Sequence, residues 1–138
     1  MSDMHYDVKY VSAVEPFNPG ATGVKTGIEI DRMGFDKVEF IQQNGAISTA
    51  GFIGTPIIFA GNTSGSLASV ADGDLLGTEA GAVLSGATSD NKTGKVGYTG
   101  SLRYVRCDIN LEGAATGYHS VLCALGGQRK GPQSDQTP

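Results

Sequence analysis

The chain has 138 residues, a size that suits one domain with a core of its own. It has 21 glycines, five prolines, no tryptophan and 17% charged residues, a lean, turn-rich composition that favours many short strands over long helices. Ten Lys and Arg against fourteen Asp and Glu give a net charge of −4, and no basic run precedes Gln128-Arg129-Lys130, so nucleic-acid binding through phosphates lacks its electrostatic footprint. No apolar run approaches the roughly 18 residues of a membrane span, and Met1 to Tyr6 lacks the basic and apolar regions of a signal peptide. A soluble chain made in the cytosol is expected, and two cysteines are too few for a disulfide framework or a zinc site.

Residues 6 to 14 alternate, with Tyr6, Val8, Tyr10 and Val14 on one side, and predict a strand or extended arm. Glu15 to Gly20, with two prolines, should break it. Gly27 to Asp31 and Lys37 to Gln42 read as two short strands. Ile47 to Phe59 is the densest apolar stretch, and Pro56 within it predicts two short pieces in place of one long strand. Residues 60 to 66 read as a loop, and Leu67 to Val70 as a brief strand. From Ala71 to Thr99 the chain reads as loop, with a helical turn near Asp74.

The clearest signal runs from Ser101 to Leu111. Val105, Cys107, Ile109 and Leu111 alternate with Tyr104, Arg106, Asp108 and Asn110, the pattern of a half-buried antiparallel strand. Gly97 and Gly100 suit a bend at its entry. Glu112 to Gly117 reads as a hairpin loop and Tyr118 to Leu125 as the return strand, in a register that faces Cys107 with Cys123 and Ile109 with Val121. The two cysteines are then buried, neighbouring and unbridged, as reduced thiols acting as small hydrophobes. These segments predict an all-β, antiparallel, jelly-roll-like β-sandwich over residues 21–127. An N-terminal arm or edge strand over residues 1–20 and a flexible tail over 128–138 should flank it.

Chemistry is sparse. His119 has no serine or cysteine motif beside it to activate. Asp72-Gly73-Asp74 lacks the spaced ligands and closing glutamate of a calcium loop, and no glycine-rich phosphate loop is present. The expectation is a non-enzyme with no catalytic residue, cofactor or metal site. Tyr6, Tyr10 and Phe17, joined by Val8, are candidate contacts by which an arm could add to a neighbour's sheet. Arg103 and Arg106, on opposite faces of their strand, leave two readings: one meets an acidic partner across the sheet while the other meets an interface, or both are plain sheet surface.

The order of elements resembles a family of small tailed-bacteriophage and prophage virion proteins, usually encoded among the head genes. The matching blocks are Gly27 to Asp31, Gly34 to Phe40, Ala71 to Thr78, Val96 to Arg106 and Ala124 to Gly127. The resemblance implies a structural role in the virion and no activity. It leads to a capsid decoration or cement subunit on the capsid surface, whose partners are the major capsid protein and other copies of itself, as a trimer or other small ring, with no nucleic acid or membrane. A head-tail connector or tail component is the alternative, and a carbohydrate- or receptor-binding sandwich comes next.

Overall fold

The computed structural model describes residues 3–47, 51–86 and 90–129; the expected tail beyond Arg129 lies outside them. Two antiparallel sheets face each other. The first holds β1 (Lys9–Phe17), β11 (His119–Gln128), β4 (Phe35–Asn44), β9 (Thr93–Tyr98) and β7 (Leu75–Leu76), in that order across the sheet. The second runs β2 (Gly23–Lys25), β10 (Tyr104–Glu112), β5 (Ile53–Thr63) and β6 (Ser66–Ser69), with β3 (Ile30–Asp31) also on β10 and β8 (Leu84–Ser85) on β5. A one-turn helix, α1 (Met4–Asp7), precedes β1, and short 3-10 turns occupy Asp72–Asp74 and Ala80–Ala82. The predicted all-β antiparallel sandwich is the fold observed.

The core lies between the sheets. Phe40, Val96, Val121, Cys123 and Leu125 from the first sheet meet Ile58, Val105, Cys107 and Ile109 from the second, with Phe52 beside them; all are buried. Each large apolar side chain removed from water in this way contributes about 1.5–3 kcal/mol.

The hairpin expected between β10 and β11 does not form. β10 pairs with β5, β2 and β3, and β11 with β1 and β4, so the two strands lie in opposite sheets. Residues 113–117 make an arch across the sandwich, anchored where the Ala115 N–H donates to the Pro19 carbonyl at 2.9 Å. Gly113 and Gly117 have φ of 74° and 143°, and a Cβ at either would strike the main chain of Gly51 or Ala46. The inward set is still the one the alternation picks out, because a hairpin and an arch both turn the same faces to the core.

Other boundaries shift for local reasons. Tyr6 belongs to α1, whose cap is the Asp3 carboxylate accepting from the Tyr6 N–H at 2.8 Å. β1 continues through Pro16 to Phe17 as the edge strand, with register shifts on either side of Val14, and it sends Ala13 and Val14 into the core. Pro16 is tolerated because, among the described residues, a strand pairs with β1 on one side only. Gly27 to Ile30 is mostly a crossing segment, while β2, unforeseen, precedes it.

Pro56 does not divide β5. Residue 56 opposes Ile109 across the β10 ladder, while β8 and β6 pair only with the two ends of the other edge. Two residues on, the Ile58 N–H points away from β10 and donates to the Glu79 carboxylate at 2.7 Å. The ring nitrogen of Pro56 therefore falls in the gap on that same side, where no ladder bond is lost. β5 and β6 extend through most of the expected 60–66 loop and leave a turn at Ser64-Gly65. β9, in a stretch read as loop, lies between β4 and β7.

Candidate functional site

The first sheet carries apolar side chains on its outer face as well as its inner one. Along β11, His119, Val121, Cys123 and Leu125 point inward, and Leu122 and Ala124 therefore point out. The register places Tyr10 beside Ala124, Leu122 beside Ile41, and Leu76 beside Gly97 on this outer side. Leu122 is 42% exposed and Leu76 59%. A groove of about 480 Å³ runs across the face, walled by Val8 and Leu76 over Ala124 and Gly126, with Lys37 and Glu39 at its polar side. Gly97 keeps the floor low: a Cβ there would come within 2.9 Å of Glu39 Oε2 and 3.1 Å of Leu76 Cβ.

Val8 lines this groove, and Tyr10 stands on the same face by register. Tyr6 is 44% exposed on α1, which is tied to β11 where Gln128 Nε2 donates to the Tyr6 carbonyl and to Asp7 Oδ1, both at 3.1 Å. Phe17 lies elsewhere. It packs against the core 5.8 Å from the His119 ring, with Lys25 Nζ 5.3 Å over its face.

The two arginines serve contacts within the chain. Arg103 pairs with Asp31 through two hydrogen bonds of 3.0 and 2.7 Å, which hold the Asp31 carboxyl below its usual range and the guanidinium above its own. Arg106 pairs with Asp108 at 2.8 and 3.1 Å and lies 4.7 Å over the Phe59 ring. Asp108, outward by alternation, is buried because the segment around Gly27 crosses over it and donates its N–H at 2.9 Å. Leu76, Ile41 and Leu122 escaped the sequence reading; the signal for Leu122 was that β11 is apolar at both parities.

His119 is 1% exposed between the sheets. Its Nε2 is 3.1 Å from Gln42 Oε1, and its Nδ1 meets the Asn44 carboxamide. Gln42 Nε2 donates to the Ala82 and Gly54 carbonyls, so Gln42 Oε1 must accept from the ring. In a neutral imidazole Nδ1 is then an acceptor, which assigns the Asn44 NH2 to the ring and gives that otherwise unpartnered group its bond. Burial lowers the His119 pKa to about 4. The network holds the ring in place and presents neither nitrogen to solvent.

Cys107 and Cys123 are buried and unbridged. Burial, then Asp108 and Cys123, push the Cys107 thiol well up; burial, then Glu39, push Cys123 up to about 12. Both are thiols at neutral pH. Among the described residues no three His, Cys, Asp or Glu side chains are placed to share a metal ion, and no helix is long and apolar enough to cross a membrane.

These features define a two-sheet β-sandwich with an apolar outer face that no described residue covers. No protein-family model matches the chain, and no curated protein matches it. Among solved structures it is similar to the PBSX exported protein XepA, with a TM-score of 0.60 and 15% identity over 100% of this chain and 43% of XepA. The chain thus spans less than half of XepA's length. It is also similar to VP2 of the infectious bursal disease virus subviral particle, with a TM-score of 0.52 and 11% identity over 88% of this chain and 32% of VP2. The SPBc2 prophage-derived protein YomS gives 0.49 and 17% over 86% and 92%. At such identities the likeness to XepA and VP2 shows the fold alone.

Proposed function

We propose that this protein is a structural subunit of a tailed-phage or prophage virion, a decoration or cement subunit that binds the assembled head and has no enzymatic role. The observation that carries the reading is the apolar face around Leu122, Leu76 and Val8, left uncovered among the described residues, since a two-layer sandwich standing alone gains nothing from presenting it to water. The fold shared with a PBSX protein and with a viral capsid protein supports the same reading. In it, the groove and the adjoining edge of β1 take up neighbouring copies, as a trimer or other small ring, and the ring sits on the major capsid protein. Tyr6, Val8 and Tyr10 belong to that contact. Binding that favours the closed shell over the opened one adds free energy that must be overcome before the shell opens.

The test uses particles stripped of the protein. Adding it back should restore their resistance to heat, while Leu122→Glu, which leaves the inner face of β11 unchanged, should weaken binding by tenfold or more, the worth of about one buried leucine. Unaltered binding of that variant would overturn the assignment of the face. A single ring of copies at the portal vertex or on the tail would replace the cement role with a connector.

A further inference from the structure

Arg32 is the most buried of the four arginines, with 8% of its surface exposed, and among the described residues it is the one without a carboxylate. The other three pair with acids: Arg103 with Asp31, Arg106 with Asp108 and Arg129 with Asp36. Arg32 follows β3 directly, and its side chain runs back under the turn before β10. Its Nε donates to the Leu102 carbonyl at 2.6 Å and its Nη2 to the Gly100 carbonyl at 2.7 Å, while the guanidinium lies 5.2 Å over the Tyr98 ring. Nη1, also buried, has no hydrogen-bond partner among the described residues.

A guanidinium cannot shed its proton to escape burial. Two neutral carbonyls and an aromatic face answer its shape and part of its charge, and a buried cation with no anion is costly. The surroundings supply what an anion needs. Arg32, Met33, Ser101, Arg103 and Arg129 line a cleft of about 200 Å³ where the β3–β4 turn, the turn before β10 and the end of β11 converge. Arg103 and Arg129 each engage their aspartate through Nε and Nη2, so each retains Nη1 outside the pair. Three guanidiniums stand against the two carboxylates of Asp31 and Asp36, and the uncompensated charge is the buried one.

We propose that this cleft is an oxyanion site, which takes one carboxylate or phosphate-type group whose charge answers Arg32 and whose oxygens accept from the flanking arginines. Planar guanidiniums suit that chemistry because each offers paired donors to adjacent oxygens. Phosphate and carboxylate share it, and separate titrations distinguish them.

The experiment follows backbone amide resonances of the whole chain during addition of inorganic phosphate and, separately, of acetate, with chloride at matched ionic strength as the control. Saturable shifts at Met33, Gly34 and Ser101 are expected; saturation by phosphate alone assigns a tetrahedral ligand, and saturation by acetate assigns a carboxylate. Arg129→Gln, at a side chain 71% exposed, should weaken binding by about tenfold, and Asp36→Asn, its exposed partner, should tighten it. Arg32→Met should abolish it, and the Arg129 and Asp36 pair keeps the test decisive where that variant does not fold. Shifts that never saturate, that chloride reproduces, or that ignore both surface substitutions would overturn the proposal.

Discussion

Acid should loosen this sandwich at His119 before it reaches the carboxylates. The folded protein holds the ring neutral to about pH 4, whereas the unfolded chain protonates it near 6.5. Between those values the unfolded state binds the extra proton, so stability is fully present above about pH 6.5 and falls as pH drops toward 4. The separation of the two values caps the loss at about 3 kcal/mol, and the same linkage puts about 2 kcal/mol of it above pH 5. Glu29 and Asp31, whose pKa values are lowered by their hydrogen bonds to Ser64 and to Arg103, add their own losses only as pH falls through 4.5 and 3.8, their respective unfolded values, and below. The interval from about 6.5 to 5 therefore isolates the imidazole from these acids. Urea unfolding of the wild type and of His119→Gln, compared at both ends of that interval, is the assay. The wild type should lose about 2 kcal/mol more than the variant, which keeps a hydrogen-bonding side chain but does not titrate there. Equal pH dependence in the two proteins would refute the reasoning and mean that the ring is already solvated or charged in the folded state.

Two further outcomes follow from the packing. Gly27→Ala would place a Cβ 2.0 Å from the Cys107 carbonyl oxygen and 2.9 Å from that of Ala13, both main chain, so neither can swing aside. It should cost about 3 kcal/mol in urea unfolding, and a loss below about 1 kcal/mol would show that the crossing segment moves freely. Cys107 and Cys123 should resist a thiol reagent in the native protein and react together once it is unfolded, giving two thiols per chain without reductant; a quantitative disulfide would contradict their placement.

Period-two alternation by itself determined which side chains of 105–111 and 119–125 face the core, because burial selects one parity whatever the strand's neighbour. It determined the fold class as well, since no stretch offers a helical stripe long enough to compete. Pairing was a tertiary matter. A hairpin and an arch bury the same residues of β10 and β11, and the choice rests on β5 and β4 arriving from far along the chain to take the places beside them. Pro56 shows the same limit: its penalty depends on whether a neighbour waits for its missing N–H, and the gap between β8 and β6 removes that neighbour. The apolar outer face was half legible. Val8 and Tyr10 stood out by alternation, but Leu122 and Leu76 join them only because β11 and β7 lie in one sheet with β9 between β7 and β4. Arg32 left no mark in the sequence, as one arginine after a short strand. Its burial, without a carboxylate among the described residues, was decided where two turns and the end of β11, far apart in the chain, close around it.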